Sequence, residues 1–204
     1  MRPTALSNPA TMTVLILGLI LFLGVHSVRI FAEGWRTAQI ARRGAGAWKG
    51  IYTVISIVGF GLIVWGYGLA RAQPVVLWAP QLWARHLASL LMLLAFILLA
   101  AAYVPKNGIK AWVHHPMVLG VKVWALAHLL ANHTLADLLL FGSFLVWAVL
   151  NFRAARARDR ASQQRYPAGT LGGTLGAVFG GIVAWAVFAF WAHGFLFGVA
   201  PLGR

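Results

Sequence analysis

Residues 114–133 read HHPMVLGVKVWALAHLLANH. Apart from Lys122, the interior of this stretch is as apolar as a lipid-facing helix. Yet it carries His114, His115, His128 and His133, four of the chain's seven histidines. Ionisable groups are costly inside a bilayer and usually have a function there. Whether this segment crosses fully or only part way decides the topology, and with it which imidazoles can meet.

The rest of the chain makes a bilayer the solvent. Of its 204 residues 61% are hydrophobic, with mean hydropathy +0.80, more apolar surface than a soluble domain of this size can bury. A crossing helix needs about 20 apolar residues. Six segments qualify or come close: Met12–Phe31, Gly50–Gly68, Leu82–Tyr103, Val113–Ala131, Thr134–Leu150 and Gly172–Ala192. The fourth and fifth are short and joined only by Asn132-His133. The expected fold is one all-α, polytopic membrane helix bundle over residues 1–204. The opening MRPTALSNPATM has one arginine and no small-residue cleavage site, so the run after it reads as a retained first span.

Charge sets the direction. Lysine and arginine total 17 against 3 acids, a formal +14. Eleven of the positives alternate onto one side: Arg36, Arg42, Arg43, Lys49, Lys106, Lys110, Arg153, Arg156, Arg158, Arg160 and Arg165. Four fall on the other: Arg2, Arg71, Arg85 and Arg204. The positive-inside rule then places both termini in the periplasm of a bacterial inner membrane, with residues 151–170 a basic cytoplasmic loop. Anionic lipid accounts for the basic balance without nucleic acid. Trp35 and Trp48 mark the inner boundary, Trp78 and Trp83 the outer. Gly59, Gly66, Gly68, Gly172, Gly176 and Gly180 allow helices to approach closely. Nothing in the sequence sets the oligomeric state.

Cysteine is absent, which excludes disulfides, thiolate zinc, iron–sulfur clusters and thiolate catalysis. Glu33, Asp137 and Asp159 are too few and scattered for a carboxylate di-metal site or paired-carboxylate chemistry. No H-E-x-x-H occurs, nor the dense histidine clusters of membrane di-iron enzymes. Haem b needs only one or two neutral imidazoles and an aromatic slot, and aromatics make up 13% of the chain. Imidazoles bonded to backbone, or holding another metal, are the other readings. His26 lies toward the inner end of the first span, and His114 and His115 precede Pro116 at the inner mouth of the fourth. His86 and His193 lie at outer ends, and His133 follows the fourth segment. His115-Pro116 also suits a plain helix start, with proline in the first turn. His114 and His128, 14 residues apart, lie roughly 21 Å apart along one helix and cannot share an iron. A bis-imidazole site must join different helices.

Longer motifs carry a resemblance. LILFLGVHSVRI, WKGIYTVISIVGFGLIVWGYG, RHLASLLMLLAFILLAAAYVPKNGIK, HHPMVLGVKVWALAHLLAN and WAHGFLFGVAPL resemble the NnrU family over nearly the whole chain. That family is associated with denitrification and nitric oxide metabolism. More distantly, His26-Ser27, His115-Pro116-Met117-Val118-Leu119-Gly120, Trp124-Ala125-Leu126-Ala127-His128 and Trp191-Ala192-His193-Gly194 are similar to motifs of the 15-cis-zeta-carotene isomerases, membrane haem b proteins. The resemblance implies haem b with His26 and His128 as axial ligands, and His115 and His193 also at the cofactor. The isomerases' ligand-exchanging cysteine is Ala125 here, and the arginine before their His-Pro is His114. Both departures bear on isomerase activity more than on haem. The His-Pro-x-x-x-Gly element also resembles membrane methyltransferases that hold S-adenosylmethionine.

With a fully crossing fourth segment, His26 and His128 would lie roughly 16 Å apart in depth. If Lys122 snorkels to the inner headgroups, residues 123–131 penetrate only part way, and His128 rises about 9 Å above Lys122. Segments four and five are then expected to form a re-entrant hairpin, which brings His128 to His26's level. If Asn132 instead lies at the outer side, His128 pairs with His86 or His193, and His26 with His115. The expected function is a haem b-binding membrane protein accessory to nitric oxide metabolism, its partners the bilayer and NO or a hydrophobic polyene. The alternatives are a haem-dependent polyene isomerase, a haem-free assembly factor and a methyltransferase.

Overall fold

The computed structural model describes residues 9–79 and 81–202, so Arg2, Arg204 and most of the opening segment lie outside the described residues. The elements are α1 (Pro9–Phe31), α2 (Glu33–Ala72), α3 (Leu82–Tyr103), α4 (Gly108–Val113), α5 (Pro116–Ala131), α6 (Leu135–Ala161), α7 (Leu171–Val187), a π-helical turn (Phe188–Ala192) and α8 (His193–Phe197). No strand occurs among the described residues. Five helices there are long and apolar enough to cross a bilayer, and Pro116–Ala131 is a sixth, shorter apolar helix. At 1.5 Å per residue its 16 residues span about 24 Å, short of the ~30 Å hydrocarbon core.

The chain divides into two compact units. Residues 9–79 and 133–147 form the first; 81–132 and 148–202 form the second.

In the first unit α1 and α2 pack antiparallel. Leu15 is fully buried, with Met12 and Leu19 on the same face. The closeness comes from glycine. A Cβ on Gly18 would lie 2.6 Å from Ile63 N, and one on Gly59 2.7 Å from Phe22 N. In lipid, small residues at such contacts let dispersion between backbones hold helices together. Of the glycines expected to do this, Gly59 and Gly66 do. Gly68, Gly172 and Gly180 face open space, and a Cβ on Gly176 would make only ordinary contact with Val104. α2 starts earlier than its apolar run, at Glu33, and bends at Gly44 (φ 83°, ψ 154°), a conformation glycine adopts without steric cost.

The first turn of α6 is capped from both directions. Asp137, 6% exposed, accepts from Thr134 N (2.9 Å) and Thr134 Oγ1 (2.6 Å), while Thr134 Oγ1 accepts from Asp137 N (3.3 Å). The reciprocal pattern is that of a capping box. Tyr67 donates to the other carboxylate oxygen at 2.5 Å. The turn before α6 is bonded to the connector that follows α2: Leu77 N donates to His133 O (2.8 Å) and Leu135 N to Val75 O (2.9 Å). This corrects the hairpin expectation. The Asn132-His133 turn lies beside the α2–α3 connector, at the end of the unit where α2 finishes, not half-way along it. Its backbone groups find partners on that connector.

In the second unit α3 packs on α5 and α7 through small residues: Ala84, Ala88, Ala95 and Ala101 on α3, Gly120, Ala125 and Ala127 on α5, Ala177 and Gly181 on α7. Asn107, 2% exposed, ties α3 to α4. It donates to Ala101 O (2.9 Å) and Val104 O (2.6 Å) and accepts from Lys110 N (2.8 Å). The stretch expected as a loop over 151–170 is helical as far as Ala161. Its RAARARDRA is rich in strong helix formers, and propensity prevails over charge repulsion. Lys122, expected to snorkel, instead holds its ammonium 4.8 Å over the Phe152 ring, an attraction that strengthens away from water.

Candidate functional site: an imidazole-lined cavity

Inside the second unit the start of α3, the end of α5 and the last turns after α7 enclose a cavity of about 130 Å³. His128 comes from α5. His193 comes from the end of the π turn, where its N–H reaches back to Phe188 O rather than one residue less. That inserted residue swings His193 round relative to a straight continuation of α7; π turns of this kind frequently mark functional sites. Phe96, Trp185 and Phe188 supply aromatic wall, Met92 fills between them, and Arg85, Ser89 and Asn132 add polar atoms. Phe188 lies edge-on to His193 at 5.8 Å and tilted to Phe96 at 5.5 Å.

Both imidazoles are oriented alike. His128 Nδ1 donates to Trp124 O (2.9 Å) and His193 Nδ1 to Val199 O (2.7 Å). A carbonyl only accepts, so each Nδ1 carries the proton and the lone pair of the neutral ring lies on Nε2. Metal-binding histidines are held in this way, with the second nitrogen fixed by a carbonyl or carboxylate.

His26 has separate surroundings in the first unit. Its Nδ1 donates to Phe22 O at 2.6 Å, so it is the same tautomer. Its ring stacks on Phe22 at 4.2 Å, tilts against Tyr52 at 5.0 Å and meets Trp147 edge-on at 6.1 Å. The Trp147 indole N–H is buried without a partner.

His115 does not line the cavity. At the other end of α5 its Nε2 donates to Asp159 Oδ2 at 2.8 Å, and Tyr166 donates to the same oxygen at 3.1 Å. His114 stacks on Tyr166 at 4.2 Å and accepts from Arg156 Nη1. His114 sits at φ 66°, ψ −45°, with His115 N bonded to Val113 O at 2.8 Å. This is a γ-turn of the rare positive-φ kind, which is strained. Burial, and then the bond to Asp159, holds the Tyr166 hydroxyl's pKa above the usual tyrosine range.

Of the histidines expected at a cofactor, the structure brings His128 and His193 to one cavity, while His26 and His115 each have other partners. His86 is exposed and outside the lining. In the sequence Arg85 reads only as a loop charge, and the aromatics Phe96, Trp185 and Phe188 only as apolar composition. Their convergence depends on the tail folding back, which no local pattern announces. No cluster of three or more histidines and carboxylates able to hold a bare metal ion occurs among the described residues.

Fold and site together define a multi-pass, all-helical membrane protein with a histidine-lined cavity. A family model described as NnrU protein matches residues 14–201, and the chain belongs to that family. No curated protein and no solved structure matches it.

Proposed function

We propose that the protein binds haem b in the second unit's cavity, with His128 and His193 as its imidazoles, and serves nitric oxide or denitrification metabolism from the bacterial inner membrane, both termini periplasmic. The carrying observation is that both rings meet one aromatic-walled cavity with Nδ1 engaged and the lone pair on Nε2. The donor set fits: neutral imidazole suits haem iron, and low polarity around it tunes its chemistry. The enclosed space is near that of a cavity of ~150 Å³ that admits benzene. That space is smaller than a porphyrin, so a cofactor held between the two imidazoles would extend through the cavity's open side. Bound there, the cofactor would supply an iron able to take up NO. The chain's own part is to fix two tautomers and to wall the cavity with Phe96, Trp185 and Phe188.

A slim polyene is the second reading for the cavity's occupant, favoured by the small enclosed volume; turnover of a polyene between its isomers would identify it. The test of haem is the absorbance spectrum of the purified protein. A Soret band that shifts or disappears in His128→Ala and in His193→Ala supports the reading. A colourless preparation, or spectra unchanged in both variants, overturns it.

A further inference from the structure

Part of the cavity's wall is not helix. Val199, Ala200 and Pro201, which follow α8, line it beside α3, α5 and the turns after α7. The chain reaches them through Gly198, which ends α8 at φ 68°, ψ 17°. Glycine takes that left-handed conformation without steric cost, and a residue with a Cβ does not. Among the described residues one hydrogen bond ties residues 199–202 to the helices, the 2.7 Å bond from His193 Nδ1 to Val199 O. Val199 is 37% and Leu202 41% exposed, so packing holds the segment only in part. A segment with few buried contacts and a single tie opens at low cost.

We propose that residues 199–202 are a latch over the cavity, hinged at Gly198 and closed by the His193–Val199 bond. The donor of that bond is one of the two imidazoles that meet the cavity. Closed, the latch holds the proton on Nδ1 and leaves the lone pair on Nε2. Open, the ring is free to turn, and either nitrogen can carry the proton. The cavity therefore loads with His193 released and holds its occupant with His193 fixed. The latch acts on whatever enters the cavity and needs no haem, so it goes beyond the function proposed above.

The chain has no cysteine, so one introduced thiol reports on one position. The test uses full-length, haem-depleted Met92→Cys protein in neutral detergent micelles, with the thiol in the cavity wall. Its labelling by N-ethylmaleimide follows the open population when opening is fast and labelling slow. Two further changes loosen the latch by different routes. His193→Phe keeps a ring and removes the donor, and Gly198→Ala puts a Cβ at a positive φ. Each should speed labelling about five-fold, the usual scale for one lost neutral hydrogen bond or one residue forced left-handed. His193→Asn sets an amide N–H near the place of Nδ1 and should stay closer to the wild type. A thiol at Ala101→Cys, fully buried on α3 and outside the cavity, should stay slow in every background, which shows that the variants are folded. Unchanged Met92→Cys rates in both His193→Phe and Gly198→Ala overturn the latch. Acceleration at both thiols also overturns it, because the whole unit has then loosened. So does equal acceleration by His193→Asn and His193→Phe, which would assign the effect to the ring and not to the bond.

Discussion

His128 and His193 are 65 residues apart in sequence, line one cavity, and each gives its Nδ1 proton to a backbone carbonyl. For His128 the acceptor is its own helix one turn back. For His193 it is Val199, in the tail beyond α8, so that ring's orientation depends on the tail folding over it. Shortening the chain before Val199 should therefore disturb the haem spectrum as His193→Ala does, without changing helix content by circular dichroism. A truncated protein with an unaltered Soret band would show that Val199 has no part in orienting His193.

Helix contact through glycine gives a sharp stability contrast. Gly59 meets the backbone of Phe22, whereas Gly68 on the same helix meets nothing within 4 Å. Gly59→Leu should cost at least ~2 kcal/mol by overpacking. Gly68→Ala should be neutral or slightly stabilising. Unfolding of both variants in mixed micelles, followed by tryptophan fluorescence, reads the difference; equal effects would remove the α1–α2 glycine contact from the description.

The γ-turn at His114 can be separated from the contacts its ring makes. His114→Ala and His114→Gly both lose the stack on Tyr166 and the bond from Arg156. Only glycine relieves the positive φ. The glycine variant should be the more stable of the two by about 1 kcal/mol. Equal stabilities would mean that the turn is not strained.

Tyr166 sets a pH dependence whose sign follows from its raised pKa. The folded state favours the protonated phenol. Its contribution is therefore whole below the unfolded value of about 10 and is lost as pH rises from there through the folded value. Stability of the wild type should fall more steeply above pH 10 than that of Tyr166→Phe. Parallel unfolding curves across that range would deny the shift.

Much of the fold is legible in the sequence because lipid demands long uninterrupted apolar runs, and α1, α3 and α7 have them. The ends of α2 and α6 are less legible. Arg36, Arg42 and Arg43 read as loop, although the chain there is already helical and only Gly44 interrupts it. The arginines after Leu150 mislead in the same way. Asp137's capping role was visible in the spacing Thr134-x-x-Asp137, but the Tyr67 bond was not, since it joins positions 70 residues apart. At the site, His128 and His193 stand out as intramembrane imidazoles. Their shared cavity does not, because it needs the π turn at Phe188–Ala192 and the returning tail. Lys122 invited a depth argument from local sequence, and the turn's bonds to the α2–α3 connector answer it differently.

Electron paramagnetic resonance of the ferric protein tests the proposed pair most directly, because the iron's spin state reports how many imidazoles hold it. The expected result is a low-spin wild type, a high-spin His193→Ala variant, and a His26→Ala variant that stays low-spin. A wild type without low-spin iron, or a spin state that changes in His26→Ala and not in His193→Ala, would contradict His128 and His193 as the two ligands.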